Sequence, residues 1–135
     1  MTTTTTTAAV RRLLGSSRPV SWVNTAYPFG AAYLLAGGGV DLGFVVGCLY
    51  FLIPYNLLMY GLNDVFDYES DLRNPRKGGI EGVVLDRRWH RTTVWAALLG
   101  NLPFVLVLLL LGGAAAAAVL AVSLAAVVAY SAPVL

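Results

Sequence analysis

The composition of this 135-residue chain excludes an ordinary soluble domain, because 58% of its residues are hydrophobic and only 12% are charged. Soluble domains carry about 25% charged residues. The net charge of +2 gives no indication of a nucleic-acid partner, and the single cysteine, Cys48, excludes an intrachain disulfide. The chain is therefore predicted to be an integral membrane protein.

The predicted elements begin with the polar, low-complexity segment "MTTTTTTAAV", and residues 1–17 are predicted to form a disordered cytoplasmic tail. A bilayer-crossing helix needs about 20 apolar residues. The segments that meet this requirement are 19–36, 42–63, 92–111 and 114–133. Glycine-rich turns, "GGGVD" and "GG", separate the members of each pair, and the polar loop 64–91 separates the two pairs. The sequence thus predicts an all-α, polytopic membrane helix bundle.

The distribution of basic residues predicts the orientation of this bundle. Every lysine and arginine lies before the first span or in the long loop: Arg11, Arg12, Arg18, Arg73, Arg76, Lys77, Arg87, Arg88 and Arg91. Basic residues near membrane spans stay on the cytoplasmic side. We therefore expect a multi-pass protein of the cell inner (plasma) membrane, with its N-terminus and its loop 64–91 in the cytoplasm.

A polar stripe runs along the second predicted span if that helix continues to Asp71. At about 100° per residue, one narrow arc of the helix collects six polar side chains: Asn56, Tyr60, Asn63, Asp64, Asp67 and Asp71. A solvated helix end would not explain why Asn56 and Tyr60 lie deeper on the same face, or why three carboxylates lie together. Carboxylate and amide oxygens are ligands that suit Mg²⁺. The stripe therefore predicts a magnesium site.

Basic residues follow the acids directly, in "DLRNPRKGG". Arg73, Arg76 and Lys77 would suit a diphosphate that binds between the metal and these cations. Anchoring at the membrane surface explains Arg76 and Lys77 equally well. The lone histidine, His90, follows a tryptophan among arginines and is predicted to be an interfacial residue.

The segment "NDVFDYESD" resembles the NDxxDxxxD signature of the UbiA superfamily of membrane prenyltransferases. The resemblance implies a Mg²⁺-dependent transfer of an isoprenoid from its diphosphate to an acceptor, in a bundle of nine spans of which residues 18–135 would form the N-terminal four. It also implies site residues. The first metal-diphosphate motif would comprise Asn63, Asp64, Asp67 and Asp71, with the three aspartates catalytic. Arg18, in "SRP", resembles an arginine that faces the diphosphate.

Longer stretches, "SRPVSWVNTAYPFGAAYLL" and "VVAYSAP" among them, resemble the lycopene elongases of bacterial carotenoid pathways. This resemblance implies a dimethylallyl donor, lycopene as the hydrophobic acceptor, and contact with membrane lipid. Asn56, Tyr60 and Tyr130 are predicted to line the substrate cavity.

Some features of the family are missing. The chain lacks the second aspartate-rich motif, and Val134 occupies the lysine position of a YxxxK element. We therefore expect the 135 residues to be inactive alone. Two alternatives remain: a UbiA-type enzyme with an aromatic acceptor of the quinone or haem pathway, and a transporter fragment that uses its carboxylates for ion coupling.

Overall fold

The computed structural model describes residues 2–78 and 82–132, and these residues are mostly helical. The helices are α1 (Thr2–Ser16), α2 (Trp22–Leu35), α3 (Leu42–Leu52), α4 (Pro54–Phe66), α5 (Tyr68–Asp71) and α6 (His90–Ser131). Short 3₁₀ turns precede α2 and α6. These two ranges contain no strand, so the predicted all-α class is confirmed. Residues 79–81 of the predicted loop, the last residue of the predicted fourth span and Val134 lie outside the described residues.

The N-terminal segment differs from the prediction, because residues of the expected disordered tail form α1. Threonine has a low helix propensity, and most side chains of α1 are exposed, so its packing against the bundle rests on a few residues at its C-terminal end. Leu13 packs against the core formed by α4 and α6. The buried Ser17, just after α1, accepts a hydrogen bond from the indole N–H of Trp22 at 3.1 Å. These contacts hold α1 against the bundle.

The turn between α2 and α3 is fixed by Asp41, which caps α3. Its carboxylate accepts hydrogen bonds from the backbone N–H of Phe44 at 2.9 Å and from the hydroxyl of Tyr33 at 2.9 Å. The Phe44 hydrogen bond, followed by that of Tyr33, holds the pKa of Asp41 below its usual value. The cap supplies a partner for a backbone N–H that has none within the helix.

Helices α3 and α4 form one nearly continuous stretch that is interrupted at Pro54. Proline removes a backbone donor, so carbonyls near the end of α3 lose their helical partners. Side chains replace them. The hydroxyl of Thr25 donates to the carbonyl of Phe51 at 2.6 Å, and the amide of Asn56 donates to the carbonyls of Phe51 and Leu52 at 3.0 and 2.9 Å. The break is thus supported from α2 and from α4 itself.

Helix α6 reverses direction at Gly113, whose backbone is not helical (φ 70°, ψ −176°). In the first arm, 90–112, Asn101 donates to the carbonyl of Pro54 at 2.7 Å. In the second arm, 114–131, Ser123 contacts the hydroxyl of Tyr55 at 2.7 Å and Ser131 donates to the carbonyl of Met59 at 3.1 Å. Both arms therefore pack along α4. The second arm runs parallel to α4, and the first arm runs antiparallel to it.

Two helical stretches of the described residues are long and apolar enough to cross a membrane. They are Leu42–Phe66 and Arg87–Ser131, which contain 18-residue segments with mean hydropathies of 1.9 and 2.8, respectively. The second stretch contains both arms of α6. Helix α2 has 14 residues and is shorter than the predicted first span. Side chains such as Leu35 and Leu110 point outward, which suits contact with lipid.

Candidate active site

Asp64 is the centre of a buried charge cluster at the C-terminal end of α4. Its side chain is only 2% exposed. Its Oδ1 accepts a hydrogen bond from Arg18 Nη2 at 3.2 Å and another from Lys77 Nζ at 3.1 Å. A buried carboxylate is tolerated when cations and hydrogen bonds compensate for its lost hydration. The two partners come from the segment before α2 and from the loop after α5, so three parts of the chain meet here.

Lys77 also joins a second carboxylate to the cluster. Its Nζ lies 2.7 Å from Asp71 Oδ2, and the Lys77 side chain is 5% exposed. Asp71 belongs to α5 and is itself buried. One ammonium group therefore lies between the carboxylates of Asp64 and Asp71, which converge on a single positive charge.

Arg18 is held in an unusual backbone conformation beside this cluster. It has φ 50° and ψ 77°, in the left-handed region that residues other than glycine rarely adopt. Such a conformation persists when surrounding contacts determine it. Besides its contact with Asp64, the Arg18 guanidinium lies 4.4 Å from the centre of the Tyr60 ring, in a cation–π contact. The structure thus brings predicted residues Arg18, Tyr60 and Asp64 together.

The helix that carries the acids is interrupted, although the prediction of the polar stripe required one continuous helix as far as Asp71. Helix α4 ends at Phe66, Asp67 follows with φ −87° and ψ 9°, and the short α5 begins at Tyr68. Asp67 is the C-cap residue of α4 and, like Asn63, is half-buried. Asp64 and Asp71 are therefore linked through their shared partner Lys77 and not by lying on one face of a single helix.

The other predicted site residues lie away from the cluster or on its rim. Asn56 is buried and uses its amide hydrogens on Thr25 and on the carbonyls at the α3–α4 break. Tyr130 is 67% exposed on the second arm of α6. Arg73 and Arg76 are both exposed on the loop after α5. We therefore interpret Asn56 as a structural residue, while the roles of Tyr130, Arg73 and Arg76 stay predictions.

A cavity of about 870 Å³ opens beside Asp64 and contains residues that the sequence did not single out for the site. Arg11 and Arg12 of α1 line it together with Arg18 and the segment 82–85. Arg11 and Arg12 were not predicted as site residues, because residues 1–17 were expected to form a disordered tail. The only signal in the sequence was their pairing within seven residues of Arg18.

The donor atoms of the cluster suit a divalent cation. Among the described residues, no three His, Cys, Asp or Glu side chains come together as metal ligands. The carboxylates of Asp64 and Asp71 nevertheless converge on the Lys77 ammonium. Mg²⁺ is commonly held by one or two carboxylates together with phosphate oxygens and water. The two aspartates fit that pattern.

Comparison with known proteins identifies the family. Residues 25–135 match the sequence profile of the UbiA prenyltransferase family. The chain belongs to the UbiA prenyltransferase family. UbiA proteins are membrane-embedded helical bundles, in agreement with the all-α fold and the two apolar helical stretches. The membership of the UbiA family that the sequence predicted is thereby confirmed.

Several curated relatives within the UbiA family carry names from carotenoid metabolism. The chain is 56% identical over 124 residues to a lycopene elongase/hydratase of Corynebacterium glutamicum, covering 92% of this chain and 43% of that protein. It is 58% identical over 120 residues to a C(50) beta-cyclic carotenoids biosynthesis protein of Dietzia sp., covering 89% of this chain and 28% of that protein. A lycopene elongase/hydratase of Halobacterium salinarum is 41% identical over 75 residues, which are 53% of this chain and 27% of that protein.

The chain therefore spans less than half the length of the curated relatives that it matches. The resemblance to the lycopene elongases is confirmed over this part. No solved structure matches the chain.

Proposed function

We propose that this chain forms the diphosphate-binding part of a Mg²⁺-dependent intramembrane prenyltransferase. Such an enzyme moves an allylic isoprenoid from its diphosphate to a hydrophobic acceptor. The observation that carries the proposal is the buried cluster in which Asp64 and Asp71 converge on Lys77 beside Arg18. Because the relatives are named lycopene elongases, we propose dimethylallyl diphosphate as the donor and lycopene as the acceptor.

Each residue of the cluster has a role in this reaction. Asp64 and Asp71 would bind Mg²⁺ through their carboxylate oxygens, with Asn63 and Asp67 nearby on the same motif. Bound magnesium supplies positive charge that stabilises the departing diphosphate. Arg18 donates hydrogen bonds to phosphate oxygens. With a metal bound by the two carboxylates, Lys77 would no longer be needed to compensate their charge, and its ammonium could donate to the diphosphate.

The chemistry is an alkylation of a carbon–carbon double bond. The C–O bond of the allylic diphosphate breaks, and its electron pair leaves with the diphosphate. The π electrons of the acceptor then form the new C–C bond. The carbocation that results on the acceptor loses a proton or takes up water. An apolar surrounding keeps water away from the reacting carbon, and the lipid-facing surface of the bundle provides such a surrounding.

The sidedness of the site is part of the proposal. The acid cluster lies at the end of an apolar stretch, and all nine basic residues lie before the first predicted span or in the loop that contains the acids. The positive-inside rule therefore favours a cytoplasmic site with a cytoplasmic N-terminus in the cell inner membrane. Water-soluble diphosphates and Mg²⁺ would reach the site from the cytoplasm, and the acceptor would enter from the lipid.

A chimera tests the proposed reaction. In it, this chain replaces the matching segment of the Corynebacterium glutamicum relative, and the protein is expressed in a lycopene-producing host. We expect carotenoids longer than lycopene by dimethylallyl units. Asp64→Asn should lower their amount by about 100-fold or more, because removal of one charge-stabilising group typically has that effect.

Glu69→Gln is the matched control. Glu69 is an exposed acid five residues from Asp64 that pairs with Arg87 outside the cluster, so its replacement should leave the product amount within about twofold. Equal product from the Asp64→Asn chimera would remove Asp64 from the site. Prenylation of 4-hydroxybenzoate without any change in lycopene would identify an aromatic acceptor instead.

A further inference from the structure

We propose that the cavity between α1 and the segment 82–85 binds the phosphate end of the prenyl donor, and that Arg11 and Arg12 contact that phosphate. The inference rests on the proposed function for the identity of the ligand. It goes beyond that function by assigning a binding role to α1, a helix that lies before the residues 25–135 of the family match.

The cavity has walls from three separate parts of the chain. Its lining includes Arg11 and Arg12 on α1, Arg18 in the turn that follows, and Asp64 on α4, and the segment 82–85 completes the wall. Its volume of about 870 Å³ is ample for a diphosphate group and bound water. Because Asp64 is part of the lining, a ligand in the cavity lies next to the proposed metal site.

The charge of the lining is strongly positive. Among the described residues, three arginines line the cavity, and Asp64 is the acidic residue of this lining. The charge of Asp64 is already compensated by Arg18 and Lys77. The positive charges of Arg11 and Arg12 are therefore in excess in this cavity. Guanidinium groups bind phosphate oxygens through paired, charge-assisted hydrogen bonds, so the cavity favours a phosphate-bearing anion.

A second observation concerns a hydrogen-bond donor at the edge of this cavity. The Nε–H of Arg18 is buried and has no hydrogen-bond partner among the described residues. A buried donor without a partner is costly. This donor faces Gly82, where the Cβ atom of any larger residue would come within 3.5 Å of Arg18 Nε. A phosphate oxygen could supply the missing acceptor after the backbone at Gly82 moves away from this N–H.

An anionic lipid headgroup has the same phosphate chemistry and is the main competitor, because the chain belongs to a family of membrane-embedded proteins. The cavity extends to Asp64, which favours the donor diphosphate, because a diphosphate would also bind the proposed metal there and a lipid headgroup does not need one. The two sources are separated by changing the lipid and the soluble anion independently.

The experiment uses the chain in nanodiscs of neutral phosphatidylcholine and measures the binding of inorganic pyrophosphate by calorimetry, with and without Mg²⁺. The test variant is Arg11→Gln/Arg12→Gln, which keeps the helix propensity of α1 similar. We expect its affinity for pyrophosphate to fall by about tenfold or more, since charged hydrogen bonds of this kind are lost. The helical content, measured by circular dichroism, should not change.

The matched control is Arg87→Gln/Arg88→Gln, which removes the same net charge from exposed residues outside the cavity. We expect a change of less than about twofold. Equal losses in both double variants would show that only net charge matters and would overturn the proposal. An unchanged pyrophosphate affinity in Arg11→Gln/Arg12→Gln, together with weaker binding to phosphatidylglycerol vesicles, would assign the arginines to lipid and also overturn it.

Asp64→Asn separates this inference from the proposed function. If both are correct, this variant loses the Mg²⁺-dependent part of pyrophosphate binding and retains the part that depends on Arg11 and Arg12. If Asp64→Asn changes nothing while Arg11→Gln/Arg12→Gln weakens binding, the metal site is refuted and the arginine site stands.

Discussion

Replacement of Lys77 tests the charge cluster most directly. Lys77→Met keeps a long side chain and removes the ammonium that lies 2.7 Å from Asp71 and 3.1 Å from Asp64. Asp71→Asn is the matching change, because it removes one of the two carboxylate charges with little change in size. The two single variants, the double variant and the original chain together form a double-mutant cycle.

The burial of the three side chains sets the expected magnitude. Those of Lys77, Asp71 and Asp64 are 5%, 9% and 2% exposed. Removing one partner of a buried ion pair destabilises a protein by about 3–5 kcal/mol, because a charge is left uncompensated. We expect Lys77→Met to lower the free energy of unfolding by this amount. Adding Asp71→Asn should recover about 1–3 kcal/mol, since Asp64 then keeps Arg18 as its partner.

The assay is unfolding of the purified chain in mixed detergent micelles with an increasing fraction of sodium dodecyl sulfate, followed by circular dichroism. Mg²⁺ at ten times its dissociation constant stabilises a protein that binds it by about 1.4 kcal/mol. At a fixed Mg²⁺ concentration, the gain should be larger in Lys77→Met than in the original chain, because the ammonium no longer competes for the carboxylates.

Arg87→Gln is the control for this cycle, since Arg87 pairs with Glu69 at an exposed site. Its effect on the free energy of unfolding should stay within about 0.5 kcal/mol. Strictly additive losses in the cycle would show that Lys77 and Asp71 do not interact. Equal Mg²⁺ stabilisation of Lys77→Met and the original chain would refute the idea that Lys77 occupies the position of the metal.

Three further predictions concern the scaffold. Asp41→Ala should lower the midpoint of unfolding, whereas Asp41→Asn should retain most of it, since asparagine also caps helices. The pKa of Asp41 is lowered in the folded chain. The stabilisation that depends on its charge is therefore fully present above pH 3.8, the ordinary pKa of the group, and is lost as the pH falls through the folded pKa. Gly113→Ala should destabilise the hairpin of α6 by about 1–2 kcal/mol, because Gly113 has a positive φ. Gly100→Ala is the control and should be neutral or stabilising, because a Cβ atom at Gly100 meets nothing within 4 Å. An unchanged stability of Gly113→Ala would contradict the reversal at Gly113. In a cysteine-free background, Ser70→Cys should react with a membrane-impermeant thiol reagent only in inverted vesicles and Gly39→Cys only in intact cells, and the opposite pattern would reverse the proposed orientation.

Apolar composition and glycine turns were enough to predict the all-α bundle, because a lipid environment allows few backbone structures. The family motif was also recognisable, since "NDVFDYESD" places its acids at a helix end. These features depend on local sequence, which is why they could be read without contacts.

The details of the cluster could not be predicted from local sequence. Lys77 reaches Asp64 across 13 positions of chain because the helix breaks at Asp67, and no periodicity indicates this turn. Helix α1 contacts the bundle through the partly buried Leu13, a long-range contact that its threonine-rich sequence does not indicate. Asn56 belonged to the polar stripe by its angle, but the proline break next to it provides carbonyls that bind its amide.

The break at Pro54 has a consequence for how the protein is assembled in the bilayer. In hydrocarbon, a backbone carbonyl without a donor is several kcal/mol less stable than a satisfied one. The hydroxyl that helps to satisfy Phe51 comes from α2, and the amide that contacts Pro54 comes from α6. The interrupted segment thus reaches its full stability only after the helices on either side have docked. The proline thereby couples the docking of the earlier and later parts of the chain, because an intermediate that lacks either part leaves a backbone carbonyl without its donor.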